Sequence, residues 1–416
     1  MKKKILYIQH AGGLGGSCMS LLYTIQGLDL SRFEPVVALI RPCKKLVDFY
    51  EKAGFRVVVA PGIYTFEHTT ASCARFSSPL ECFFLLNSIF HWRKSMLLTL
   101  DLVAKIQPDL VHLNSVVLVP SAMALAKAGV PFIWHVREAP VKGYFGLRTG
   151  FMRSLLKKCG NEVIFISNSD WKSWVDKTCG CVIANFINLK NFHPGISSGD
   201  IKTKLEISDN SKIVLFMGGI SEINGIQLLL GALSQVSKGV PNLVCILAGS
   251  DLSSSGSFIS LVLRKVLPFF GSGVLAQRVK KQSFKLGLES KLRFLPFQED
   301  IRPYIAASDV IVFPATLPHF ARPVVEAAAM GKPAIGSDLG GISELIEHGR
   351  TGLLVKPGSA EDLGEALLEL LSKPEKAEFL GRNAMQKAQK EFNAEKQIAK
   401  ISGIYDSILG SQERVF

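Results

Sequence analysis

The stretch PHFARPVVEAAAMGKPAIGSDLGG runs from Pro318 to Gly341, and its punctuation sets one helix between two strands. Pro323 suits a first helical turn, where a missing N–H costs nothing. Gly331 followed by Pro333 is a stop signal. The helix is therefore expected from Arg322 to Met330. It follows the strand-like run DVIVFPA and leads into PAIGSD, a β–α–β unit of a parallel sheet. Within its Val and Ala run stands a single acid, Glu326. Free N–H groups and the dipole at the start of such a helix make a seat for phosphate. Glu326, about one turn in, is placed to accept hydrogen bonds from two neighbouring hydroxyls, as on a ribose. The plainer alternative is a first-turn Glu favoured only by the helix dipole.

Working outward, the same alternation fills the chain. KILYIQH, EPVVALI, RVVVAP, DLVHLN, PFIWHV and EVIFIS read as strands, with helical segments between them. The pattern pauses at INLKNFHPGISS (residues 187–198), where Pro, Gly and paired Ser suggest a linker. A second series follows: KIVLFMGG, NLVCILAG, KLRFLPF, DVIVFPA, PAIGSD and GLLVKPG as strands. The fold class is α/β, with two doubly wound, Rossmann-like domains. The expected domains are 1–193 and 194–393, with a terminal helix (394–416) packing back on the first. Ligands in such sheets bind beyond the carboxyl ends of the strands, so a cleft between the domains is the expected site. Phe258 to Leu267, apolar with basic breaks, reads as a packed helix; a membrane-surface helix is the alternative.

Composition narrows the class. The 416 residues are 48% hydrophobic, enough for a sizeable core and, at ordinary domain sizes, two or three domains. None of the eight cysteines forms a C-x-x-C pair, so they read as reduced thiols, mostly buried filler, with a metal site at Cys179 and Cys181 the lesser alternative. The N-terminal apolar run is too short for a signal peptide, and no run is long enough to span a bilayer. These features suggest a cytoplasmic protein. The net charge of +13 is lopsided: through Lys190 there are 23 Lys and Arg against 12 Asp and Glu, and beyond it 25 against 23. A basic first half suits an anionic partner, such as the inner membrane face or phosphorylated ligands. No nucleic-acid signature accompanies it.

The sequence resembles the retaining glycosyltransferases of family four, which have the GT-B fold of two Rossmann-like domains. PHFARPVVEAAAMGKP with SDLGGISELI and GRTGLLVKPGSAEDLGEAL carries the specific part of the match. HAGGLGGSCMSLL looks like the family's glycine loop after the first strand, FIWHVRE like its His-bearing strand end near the donor sugar, and NFINLKNF like the motif at the domain joint. The resemblance implies a nucleotide diphosphate sugar as donor, no metal or other cofactor, and a glycan, polysaccharide or lipid-linked acceptor. By position, Glu326 would bind ribose, and Phe320, Ala321 and Arg322 would meet the diphosphate. Gly218, Gly219 and Asn224 would lie close to phosphate. Gly15 and Gly16, with Gly13, would let backbone approach the sugar or diphosphate, a plain tight turn being the alternative. His135, Arg137 and Glu326 are the candidate catalytic residues, although a His beside an apolar run is also a common core residue.

Three positions depart from the family pattern. The first acid of its Glu pair falls on Pro318, its Arg on Gly219 and its Lys on Asn224. In the family those cations neutralise the leaving diphosphate, a large part of the electrostatic stabilisation of such a step. Arg322 and Arg137 are candidate replacements. The competing expectation is therefore a weakened or non-catalytic, nucleotide-sugar-binding scaffold. A dinucleotide oxidoreductase fits poorly: GGLGGSC lacks the third glycine, and the second strand ends in Leu39-Ile40-Arg41 rather than an acid.

Overall fold

The structure is a computed structural model and describes residues 2–70, 73, 79–141, 144–159, 163–250 and 272–412. The chain divides into two units. The first comprises Met1–Phe186 with Ala394–Phe416, and the second Ile187–Asn393.

The first unit holds seven parallel strands: β1 (Lys3–Gln9), β2 (Phe33–Leu39), β3 (Arg56–Val59), β4 (Leu110–Leu113), β5 (Phe132–Val136), β6 (Val163–Phe165) and β7 (Cys181–Val182), in the order β3-β2-β1-β4-β5-β6-β7. β7 is a strand that the sequence patterning missed, being too short to show a period. Successive residues of β1 enter opposite layers. Leu6 and Ile8 join one core, while Ile5 and Tyr7 join the other. That second layer includes Ile398, Ile401, Tyr405 and Leu409 of the terminal helix Ala394–Gln412. A side chain at Gly27 would strike Ile398, so the bare glycine lets this helix close on the helix Gly16–Gly27.

The second unit holds six parallel strands: β8 (Lys212–Phe216), β9 (Leu243–Ala248), β10 (Leu292–Leu295), β11 (Val310–Phe313), β12 (Ala334–Ser337) and β13 (Gly352–Val355), in the order β10-β9-β8-β11-β12-β13. β9 is buried along its whole length, as expected of a strand covered on both faces. In each sheet the order reverses once, beside β1 and β4 in the first and beside β8 and β11 in the second. Those switch points, at the carboxyl ends of the strands, are where such sheets take ligands.

The division between the units falls at Phe186, earlier than the expected boundary at 193/194. The reason is a backbone crossing. The Ile187 amide donates to the Phe392 carbonyl at 2.9 Å and Ile187 bridges to Asn393, so the chain joins the second unit as soon as it leaves Phe186. The expectation for Phe258 to Leu267 lies outside the described residues. The cysteines are all free thiols, but only Cys18 and Cys245 are fully buried; the others are half-buried rather than core filler. Among the described residues, no helix is long and apolar enough to cross a membrane, and no three His, Cys, Asp or Glu side chains gather as a metal site.

Candidate functional site

In the second unit, β11 runs into residues 314–321 and then into the helix Arg322–Ala329, with Pro323 in its first turn and Met330 as its C-cap. Ala321, the N-cap residue, has no side chain to satisfy the first amides. Among the described residues, the amides of Phe320 and Ala321 find no hydrogen-bond partner, although both residues are buried. Buried backbone donors are nearly always paired, so two together at a helix start suit an anion. Gly340 adopts φ 59° and presses on Pro318; a Cβ there would come within 2.9 Å of the proline backbone. Thus the SDLGG turn supports the loop that precedes the helix.

Glu326 is buried, and its Oε1 accepts a hydrogen bond from Arg322 Nε at 2.7 Å, one turn earlier on the same helix. Burial pushes its carboxyl above the ordinary value, and the Arg322 charge opposes that shift. Desolvation thus outweighs the ion pair. Arg322, expected as a cation for the diphosphate, is engaged with this carboxylate. Nearby, the His319 ring stacks on Phe313 at 5.5 Å, and burial lowers its pKa to about 4.

The β8 turn supplies Gly218 and Gly219. Gly219 has φ 62°, a left-handed conformation that favours glycine, and an added Cβ would meet the Gly249 carbonyl. Asn224 Nδ2 donates to the Gly218 carbonyl at 2.5 Å. Asn224 thereby clamps the turn, whereas the sequence suggested a donor to phosphate.

The first unit offers the loop between β1 and the helix Gly16–Gly27. At Gly13, Gly15 and Gly16 none has positive φ, and an added Cβ would meet nothing within 4 Å. Neither backbone strain nor packing within the chain requires glycine there. Bare backbone there leaves room for close approach of a ligand. Gly15→Ala should therefore leave thermal stability within about 1 kcal/mol of the parent and lower sugar transfer on the order of a hundredfold, the cost of a small misplacement at a reacting centre. Unaltered transfer kinetics in a folded variant would remove this loop from the site.

At the other side of the same switch point lies a buried polar network. Arg137 donates through Nε to Asn114 Oδ1 and through Nη1 to Asn185 Oδ1, both at 2.7 Å, and its Nη2 lies 3.3 Å from His135 Nδ1. His135 Nδ1 is also 3.1 Å from His112 Nε2, and His112 Nδ1 is 2.8 Å from the Tyr405 hydroxyl, which meets Tyr7 Oη at 2.9 Å. Asn114 Nδ2 reaches Gln9 Oε1. Glu138 accepts from Ser115 Oγ at 2.8 Å. Burial first, then Arg137 and His112, drives the His135 pKa well below its ordinary value; burial and Arg137 bring that of His112 to about 3. His135 Nε2 is buried with no partner among the described residues. Sequence reading singled out His135 and Arg137 and missed His112, Asn114, Asn185, Tyr7 and Tyr405.

With this geometry in place, comparison with known proteins is informative. Residues 197–387, nearly all of the second unit, match the family Glycosyl transferases group 1. The second unit is therefore similar to the group 1 glycosyltransferases. The chain is similar to the N-acetyl-alpha-D-glucosaminyl L-malate synthase of Bacillus anthracis, 30% identical over 124 residues, which covers 30% of this chain and 32% of that protein. It is also similar to the UDP-Gal:alpha-D-GlcNAc-diphosphoundecaprenol alpha-1,3-galactosyltransferase of Escherichia coli, 23% identical over 331 residues, 76% of this chain and 80% of that one. Among solved structures, Anabaena HepE in complex with UDP superposes with a TM-score of 0.76 at 22% identity, covering 97% of this chain and 100% of that one. This likeness establishes the GT-B fold.

The departures of this chain from the family pattern are now concrete. Gly219 adopts a positive φ and a Cβ there would crowd the Gly249 carbonyl, Asn224 holds the turn beside it, and Pro318 backs on Gly340.

Proposed function

We propose that this chain is a group 1 glycosyltransferase that moves a sugar, with retention, from a nucleotide diphosphate sugar to a glycan or lipid-linked acceptor. The observation that carries the reading is the helix start at Arg322: two buried, unpartnered amides one turn from a buried carboxylate. A diphosphate satisfies the amides, and the ribose hydroxyls donate to Glu326. UDP is the first nucleotide to test, since the Escherichia coli relative is named for UDP-Gal and HepE binds UDP. Retention follows from attack on the face of the departing phosphate, which takes the acceptor's proton. The amides and the helix dipole supply the positive potential, so the reaction needs no metal. His135 contributes a hydrogen bond to a sugar or phosphate oxygen of the substrate.

A lipid-linked acceptor suits the surface of the first unit. On the helix Pro79–Phe90 the side chains of Phe83, Leu86, Ile89 and Phe90 are exposed. Leu97 and Leu147 are exposed on the helices Trp92–Ile106 and Leu147–Lys158, whose Trp92 and Phe151 rings lie 6.3 Å apart. Exposed Arg93, Lys94, Arg153, Lys157 and Lys158 stand on the last two of these helices. Apolar side chains interspersed with cations suit an anionic bilayer, and with it a cytoplasmic enzyme peripheral at the inner membrane face.

The test is transfer from radiolabelled UDP-sugars to undecaprenyl-diphosphate-linked saccharides in vesicles, with the product anomer read by NMR. Retained configuration, with protein sedimenting on anionic but not neutral vesicles, supports the reading. An inverted product or equal partitioning contradicts the corresponding part. Nucleotide binding without transfer to any acceptor would favour the scaffold reading suggested by Pro318, Gly219 and Asn224.

A further inference from the structure

The network behind His135 fixes where its proton sits. An arginine side chain has only donors, so Arg137 Nη2, at 3.3 Å, requires a bare, accepting Nδ1 on His135. His112 Nε2, at 3.1 Å from the same atom, must then carry its own proton and donate. That leaves His112 Nδ1 as an acceptor, satisfied at 2.8 Å by the Tyr405 hydroxyl, which in turn accepts from Tyr7. Every member of the chain thus has one orientation. For a neutral His135 the only remaining place for a proton is Nε2, the buried atom without a partner.

We propose that His112 and Tyr405 are positioning residues that lock His135 as a neutral Nε2–H donor, so that it meets an oxygen of the bound substrate as a fixed hydrogen-bond donor and never as a base. The proposal deepens the glycosyl-transfer reading of this site and rests on it for the identity of the ligand. The terminal helix is thereby part of the site's machinery: it carries Tyr405 to the sheet, against Tyr7 and His112, which face each other in register on β1 and β4. The strong lowering of the His135 pKa accords with a ring that stays uncharged at neutral pH.

The experiment is long-range 1H–15N correlation NMR on the full chain labelled at histidine nitrogens, with His135 assigned by its loss in His135→Gln. The expected spectrum has a protonated Nε2 and a bare, pyridine-like Nδ1, unchanged from pH 6 to pH 8. A protonated Nδ1, or an imidazolium in that range, overturns the proposal. In Tyr405→Phe the His112 acceptor loses its donor, so a second tautomer of His135 should appear and turnover should fall roughly tenfold, the loss of one net hydrogen bond, with KM little altered. A folded Tyr405→Phe protein with a single, parental His135 tautomer removes Tyr405 from the device. The wild-type spectrum needs no donor or acceptor, so it decides the tautomer even if the transfer reading fails. Absence of any transfer, with the predicted spectrum intact, would count against the function and not the lock.

Discussion

Glu326→Gln is expected to weaken binding of a nucleotide diphosphate at least ~30-fold while costing the free protein less stability than loss of Arg322 does, because the amide oxygen still accepts from Arg322 Nε. The two halves have different causes. Ribose hydroxyls donating to an ionised acceptor are worth about 1.5–3 kcal/mol each, and an amide oxygen cannot match that. Stability behaves otherwise because burial raises the Glu326 pKa despite the Arg322 charge beside it. A carboxyl whose folded-state pKa is raised stabilises the fold fully only below its unfolded value and loses that contribution as the pH rises through the folded value. The ionised form of Glu326 is therefore a net cost relative to the neutral form, and a neutral isostere relieves it. Isothermal titration and thermal unfolding at pH 7 check both. Unaltered nucleotide affinity would contradict the assignment of Glu326 as a ligand-facing carboxylate.

Arg322→Ala should have the opposite character. Arg322 and Glu326 side chains are only 11% and 9% exposed, so removing the cation leaves a buried charge without its nearest compensation. Breaking one side of a buried pair costs about 3 kcal/mol or more. The sign with pH follows from Glu326. Losing the Arg322 charge pushes its carboxyl further up, so the penalty vanishes where the group is protonated in both proteins and grows as the pH rises through the parent's already raised folded-state value. Urea unfolding should accordingly show a larger loss at pH 8 than at pH 5, and adding Glu326→Gln should recover much of it. A loss equal at both pH values would mean that Arg322 acts through packing alone.

Much of this was legible in the sequence. Runs such as VVAL in β2 and VCILA in β9 announced buried parallel strands, and Pro323 with Gly331 bracketed the helix that carries Glu326. The Arg322–Glu326 pair was also visible as a spacing of four on one helix, although reading Arg322 as a cation for phosphate hid it. The network in the first unit left a fainter trace: Tyr7 and Gln9, His112 and Asn114, His135 and Arg137 are polar at alternate positions near the ends of three apolar strands, and so share a face. What no local pattern carries is which strands are neighbours. Tyr405 reaches His112 across nearly 300 residues of chain (293 in sequence separation), through a helix packed on β1 and β4. Likewise, that Asn224 would spend its amide on Gly218 depends on how tightly the β8 turn closes. The boundary at Phe186 depends on the pairing of Ile187 with Asn393, another contact between distant positions.

The most direct measurement for the account as a whole is a calorimetric titration of UDP into the wild-type protein, beside the same titration of Glu326→Gln. The account predicts saturable one-to-one binding to the wild type, matched by a rise in thermal stability of about 2.7 kcal/mol at a hundred times the dissociation constant, and binding reduced at least ~30-fold in the variant. Binding of equal strength to both proteins, or none to the wild type with UDP, GDP, dTDP or ADP, would contradict the placing of a nucleotide diphosphate at the Arg322 helix.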